Sequence, residues 1–245
     1  MAQTQEAQSF QGRYSLAFRC VELGAFAVFF TEMAWLGLRL APQAQTHAAA
    51  IVAALFLGFL TMDFLSGMFH WAGDTWGSVH WPVIGSTVIR TFREHHVDPE
   101  AITRHDVVEV NATSCMIAIP WLAYGLWGGA GVFAQAFAMA IGAGAVLTNQ
   151  IHAWAHRPKN PRWIRALQKS GLILSPEGHA HHHQAPYTDH YCITTGWLNK
   201  PFARLRFFRM LERVVTKVTG AEPRAEDRRA EEAVLAAHEM ARRNP

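Results

Sequence analysis

The 245-residue chain is poor in charge, and its three cysteines are scattered. Only 17% of residues are Asp, Glu, Lys or Arg, against roughly a quarter in soluble domains. An odd set of separated thiols, Cys20, Cys115 and Cys192, excludes a disulfide scaffold. No Gly-rich flavin or nicotinamide fingerprint occurs. No long basic stripe precedes the C-terminal tail, so nucleic acid is not an expected partner. The first dozen residues are polar and lack the apolar stretch of a signal peptide. Half of the residues are hydrophobic, which excludes disorder for most of the chain.

The missing charges are missing in blocks. None falls between Leu40 and Met62, and none between Val110 and His156. A bilayer-spanning helix needs about 20 apolar residues. The first gap accommodates one span, near 48–69. The second accommodates two, near 112–127 and 132–147, joined at Gly128, Gly129 and Gly131. A weaker span, near 22–38, contains Glu32. The competing reading of these runs is buried core helices of a soluble protein. Sixteen of the 22 Lys and Arg residues follow the fourth span, and the short connections near 41–47 and 128–131 carry none. Four spans with both termini cytoplasmic satisfy this distribution, with Arg39 the one dissenter. The expected fold is an all-α polytopic membrane protein with a helical cytoplasmic cap at 70–109 and 149–220. Residues 1–220 form one domain in this reading, and 221–245 a charged tail. Within the cap, Arg157 to Leu174 reads as a short amphipathic helix. Phe202 to Val218 reads as a helix on the membrane surface or packed on the cap. The Ala- and Arg-rich composition leans toward a bacterial inner membrane; in a eukaryote, the endoplasmic reticulum would be expected.

Fourteen histidines are far more than packing requires. His47 falls on the outer side and His238 in the tail; the other twelve gather at the cytoplasmic ends of spans or in the cap. His152 and His156 are i and i+4, as are His70 and Asp74, so each pair shares a helical face. His179, His182 and His183 add i, i+3 and i+4 spacing, and His95–His96 is a doublet. Adjacent helical residues point about 100° apart. A doublet can therefore reach two metal ions, while an i, i+4 pair converges on one. His-Glu-x-x-His of zinc proteases and Glu-x-x-His of soluble di-iron bundles are both absent. A surplus of imidazoles at a membrane surface points to non-haem iron acting on lipid chains. The candidate ligands are His70, His95, His96, His152, His156, His179, His182 and His183, whereas His80, His181 and His190 read as structural.

These stretches resemble a known family. Asp63-x-x-Ser-Gly-x-x-His70-Trp-x-x-Asp74, Phe92-Arg-Glu-His-His-x-Asp-Pro99 and Ile102-Thr-Arg-His105-Asp106 resemble the plasmanylethanolamine desaturase family, which includes chloroplast palmitoyl-lipid trans-3 desaturases. So do Asn149-Gln-Ile-His-x-Trp-x-His156, His179-x-x-His182-His183, the run Tyr191 to Asn199, and Thr219-Gly-x-x-Pro-Arg224. The resemblance covers about 56–224. It implies an O2-dependent membrane desaturase with two non-haem Fe ions, acting on the alkyl ether chain of an ethanolamine phospholipid. It adds His105 as a ligand or a ligand's support. Asp74 is expected to bind metal or orient a ligand histidine, and Asn149 to bind directly or through water; Asp63, near the end of a span, needs a partner there and is expected to serve as a support, a channel polar group or a structural hydrogen-bonding group. Arg90, Arg93, Arg104 and Arg157 are candidates for the lipid phosphate. Electrons must come from an external donor, cytochrome b5 or ferredoxin with its reductase. Fatty acyl desaturation or hydroxylation on the same iron core remains open. So do a metal transporter or sensor and a zinc-bearing scaffold.

Overall fold

The computed structural model describes residues 16–82, 84–184 and 187–225. The charged tail expected from 221 lies almost wholly outside the described residues. Among them the regular structure is helical, with no strand. The α-helices are α1 (Leu16–Leu40), α2 (Ala48–Thr75), α3 (Arg90–Val97), α4 (Val107–Trp127), α5 (Val132–His156), α6 (Arg162–Lys169), α7 (Pro176–Ala180), α8 (Asn199–Leu205) and α9 (Phe207–Thr219). Helices α1, α2, α4 and α5 are long and apolar enough to cross a bilayer. Large apolar side chains on them, including Val28, Phe30, Val52, Phe56, Ile117 and Trp121, are exposed. A soluble core helix would bury such residues; lipid is the solvent that accommodates them. The protein is therefore a membrane protein.

All four helices outrun the apolar stretches that announce them. Each continues into polar sequence, because helical geometry does not stop where hydropathy does. The extension of α2 carries His70 and Asp74, and that of α5 carries His152 and His156. The turn between α4 and α5 closes at Gly129, whose φ of 69° is readily reached without a Cβ.

The chain forms two compact units. The first comprises residues up to Met62 together with 105–150. Its core packs Phe29 and Leu36 of α1 against Cys115, Ala118, Leu122 and Leu126 of α4. Asp106 starts α4 by accepting from the Val108 and Glu109 amides, and its other oxygen takes a hydrogen bond from Arg19. Arg19 also pairs with Glu22, which is how a carboxylate is tolerated on α1.

The second unit comprises 63–104 and the chain from Ile151 onward. One core joins Ile151 and Ala155 to Ile164, Ile173, Leu174 and Ile193. Another stacks Trp71, Tyr191 and Phe208. The amphipathic stretch from Arg157 is helical only over α6, because Pro161 delays its start and Gly171, at φ 73°, follows its end. The stretch from Phe202 is two helices rather than one. Arg206 adopts φ 51° and breaks it, turning Phe208 and Glu212 inward. That break has no hydropathy signature.

Candidate metal centre

The second unit gathers eight histidines and one aspartate into two groups of convergent donors. The first holds His95, His152, His156, His179 and His183; the second holds His70, Asp74, His96 and His182. The doublets divide between them. His95 faces the first group and His96 the second; His183 faces the first and His182 the second. The i, i+4 pairs stay together, His152 with His156, His179 with His183, and His70 with Asp74. Helix α3 thus serves both groups from two adjacent positions, as 3.6 residues per turn requires.

In the first group, neighbouring Nε2 atoms approach within 2.9–3.2 Å: His152 to His95, His156 and His179, and His183 to His95 and His179. Nitrogen donors about 2.1 Å from one ion and at right angles would lie about 3.0 Å apart. Burial, reinforced by the neighbouring rings, pushes His95 and His179 far below the ordinary imidazole range, and His183 to about 3. The rings are therefore neutral at physiological pH, which is the metal-binding form.

The second group is held from outside. His70 Nδ1 lies 3.2 Å from the Tyr191 carbonyl and His182 Nδ1 lies 3.0 Å from the Asp189 carbonyl. A carbonyl only accepts, so in the neutral rings the proton is on Nδ1 and Nε2 presents a lone pair. Those lone pairs face the Asp74 carboxylate, whose Oδ2 is 3.4 Å from His70, 3.5 Å from His96 and 3.2 Å from His182. Asp74 is buried, and neither of its oxygens has a hydrogen-bond partner; nor has His70 Nε2. A buried carboxylate facing lone pairs is costly unless a cation lies among them. Imidazole nitrogen and carboxylate oxygen both suit iron, so the donor set fits that metal. Arg93 donates to the Asp74 carbonyl oxygen and ties α3 to the end of α2.

The supporting loop is fixed by Asp63. Its Oδ1 accepts from the Thr195 and Gly196 amides at 2.7 and 3.0 Å, and its Oδ2 from Leu198 at 3.2 Å. Asn199 grips the same loop through the Cys192 amide and carbonyl. Gly67 lets α2 approach it: an added Cβ would lie 2.5 Å from Cys192 Sγ. Asp63 is thus a loop anchor, with all three bonds made to backbone. Asn199 and the carbonyls of Asp189 and Tyr191 escaped the sequence argument, because backbone acceptors leave no trace in residue type.

Other candidates stand elsewhere. His105 pairs with Glu109 at 2.9 Å and joins neither group. Asn149 donates to the Val110 carbonyl and Ser114 hydroxyl within the first unit. His181 and His190 stack on each other outside both groups. Arg104 is paired with Asp98, while Arg90 and Arg157 are half-buried.

Residues 59–226 match the lipid desaturase domain. The chain is 42% identical to plasmanylethanolamine desaturase of Myxococcus xanthus, over 94% of this chain and 83% of that protein. It is 37% identical to plasmanylethanolamine desaturase 1 of Mus musculus, over 74% of this chain and 70% of that one. With the chloroplastic fatty acid desaturase 4 of Arabidopsis thaliana it shares 35% identity, over 69% of this chain and 53% of that protein. No solved structure matches.

Proposed function

Because this chain belongs to the lipid desaturase family, and is thereby an oxidoreductase acting on lipids, we propose that it converts plasmanylethanolamine to plasmenylethanolamine. The reaction removes two hydrogens from the first two carbons of the alkyl ether chain. With O2, two electrons and two protons, it yields the vinyl ether and two waters. The observation that carries this reading is the division of adjacent histidines between two convergent donor groups.

His95, His152, His156, His179 and His183 would hold one iron ion, and His70, Asp74, His96 and His182 the other. Iron bound there would supply the O2-dependent oxidation of the C–H bonds of the first two alkyl carbons. The Asp189 and Tyr191 carbonyls fix the His182 and His70 rings so that both Nε2 atoms face inward. The Asp74 carboxylate offsets cationic charge. Trp71, Tyr191 and Phe208 pack beside the second group and exclude water from that side. His105 and Asn149 are assigned a supporting role at most. The reading also takes both termini to be cytoplasmic, in a bacterial inner membrane, and draws electrons from cytochrome b5 or from ferredoxin with its reductase.

The test is lipid mass spectrometry of a plasmalogen-free host that expresses the chain with a compatible donor and is fed an alkylglycerol. Acid-labile ethanolamine lipids two mass units lighter, absent with His183→Ala, are expected. A new acyl double bond or a hydroxyl instead would replace the substrate and keep the oxidation. Freely exchanging metal without O2 uptake would favour metal handling.

A further inference from the structure

A cavity of about 1550 Å³ in the second unit borders the second donor group: His96 belongs to both. We propose that this cavity holds the phosphoethanolamine headgroup of the lipid, with the phosphate on Arg206 and Arg213 and the ammonium toward Glu222 and Asp189. The proposal rests on the alkyl ether reading.

If the first two alkyl carbons react, about six bonds separate the nearer one from phosphorus, roughly 7 Å at full extension. The phosphate must then sit at the edge of the metal centre. A desaturase acting in mid-chain has no such requirement. Of the cavity's walls, His96 is a metal-group member, and Tyr187 stacks on it with centroids 4.5 Å apart. Arg93, also a wall residue, donates to the Asp74 carbonyl.

Arg206, Arg213 and Lys217 line the cavity and form no ion pair with a described residue. Glu212 does not compete for a cationic ligand, because Arg224 grips both its oxygens at 2.9 Å and Arg209 adds a further bond. Glu222 leaves negative charge at the rim, and Asp189 adds to it through Oδ2, its Oδ1 lying 2.9 Å from His190 Nδ1. That mixture suits a zwitterion and would repel part of an acidic protein partner. Four described non-glycine residues have positive φ, and three of them, Tyr187, Arg206 and Arg224, line this one cavity. Such conformations persist where surrounding structure enforces them, and they cluster at ligand sites.

The test uses the iron-loaded, full-length protein in a phosphate-free maltoside detergent. Binding of plasmanylethanolamine and of the matching alkylacylglycerol, which lacks the headgroup, is measured by native mass spectrometry, with inorganic phosphate as competitor. An Arg206→Gln/Arg213→Gln variant is expected to bind plasmanylethanolamine about tenfold more weakly, the loss of a charge-assisted contact. Alkylacylglycerol affinity and iron content are expected to stay unchanged. Glu222→Gln is expected to reduce the preference for an ethanolamine over a glycerol headgroup, and it serves if the double variant does not fold. Unchanged plasmanylethanolamine affinity, or an equal loss for both lipids, overturns the assignment. So does a defect confined to reduction by an acidic electron carrier, which would make the cavity a protein dock. Competition by inorganic phosphate as strong as by the lipid would make it a free-phosphate site and also overturn it. Product identity with wild-type enzyme tests the ether reading separately: an acyl product together with intact headgroup binding would remove the reach argument alone.

Discussion

The two donor groups reach convergence by different means. The first is built from neutral imidazoles alone, and its order comes from helical spacing on α3, α5 and α7 with its following turn. His179 Nδ1 is buried there without a hydrogen-bond partner. The second contains a carboxylate, and backbone carbonyls of one loop fix two of its three rings. A metal ion would supply much of the first group's cohesion, whereas hydrogen bonds from one loop already orient two rings of the second. The second also carries the only formal negative charge among the nine donors. Two chemically unequal donor groups would give bound metals unequal affinities and potentials.

Removing a ring from either group breaks the comparison most severely. His152→Ala and His182→Ala are each expected to lower desaturation at least about 100-fold, at or beyond the upper range for metal-site supports. Lipid mass spectrometry reads the loss. Iron analysis of the purified variants sharpens it. His152→Ala should retain about one iron per chain in the preorganised second group. Equal loss of both ions would show that the groups bind cooperatively and are not independent. Asp74→Asn comes next. It keeps an oxygen donor and the shape but removes the charge, so affinity of the second group should fall about 10- to 100-fold in chelator competition, with the first group unaffected. An unchanged affinity would make the carboxylate dispensable and leave its burial without a reason.

The way these groups divide was legible in part from spacing. An i, i+4 pair shares one helical face and a helical doublet can serve two sites, which spacing alone shows; which site each ring joins depends on tertiary packing, above all for His182 and His183 in the turn after α7. The four spans were legible for a similar reason, since a bilayer demands length and low charge. Their ends were less so, because α2 and α5 continue helically through polar residues. His105 illustrates the opposite failure. Motif resemblance placed it near the metal, but its partner is Glu109, one helical turn away on α4. A side chain that satisfies a local neighbour looks the same in sequence as one that reaches across the fold. Asp63 was recognised as needing partners, yet sequence could not say that three backbone amides supply them. The break at Arg206 left no signal, since arginine at positive φ is a consequence of packing and not of propensity.

Asp63→Asn probes the preorganisation of the second group at a distance. Asn keeps one acceptor and replaces the other with a donor opposed to a backbone amide. The cost is expected to be about 2 kcal/mol of stability, typical of a lost hydrogen bond to a charged group. It is read as a lower melting temperature in detergent. The loop so loosened carries the Tyr191 carbonyl, so iron should leave the second group faster than the first. Equal release from both would mean that the loop supports the fold without ordering the metal donors.

The smallest effect is expected at Tyr191, and its smallness is informative. The phenol is buried, its ring lies 5.0 Å from that of His182, and burial pushes its pKa up. It stands where a redox-active tyrosine would stand. Its hydroxyl, however, donates to the Tyr187 carbonyl at 2.6 Å, whereas the group that supports His70 is its backbone oxygen. Tyr191→Phe removes the phenol's bonds, to the Tyr187 carbonyl and with the Thr75 side chain, and leaves the backbone oxygen in place. A stability loss of about 1 kcal/mol is expected, with iron content unchanged and desaturation within about threefold of wild type. A much larger fall in turnover at full iron occupancy would assign the phenol to electron transfer. The second group would then be set apart from the first by a redox-active neighbour as well as by its preorganised rings.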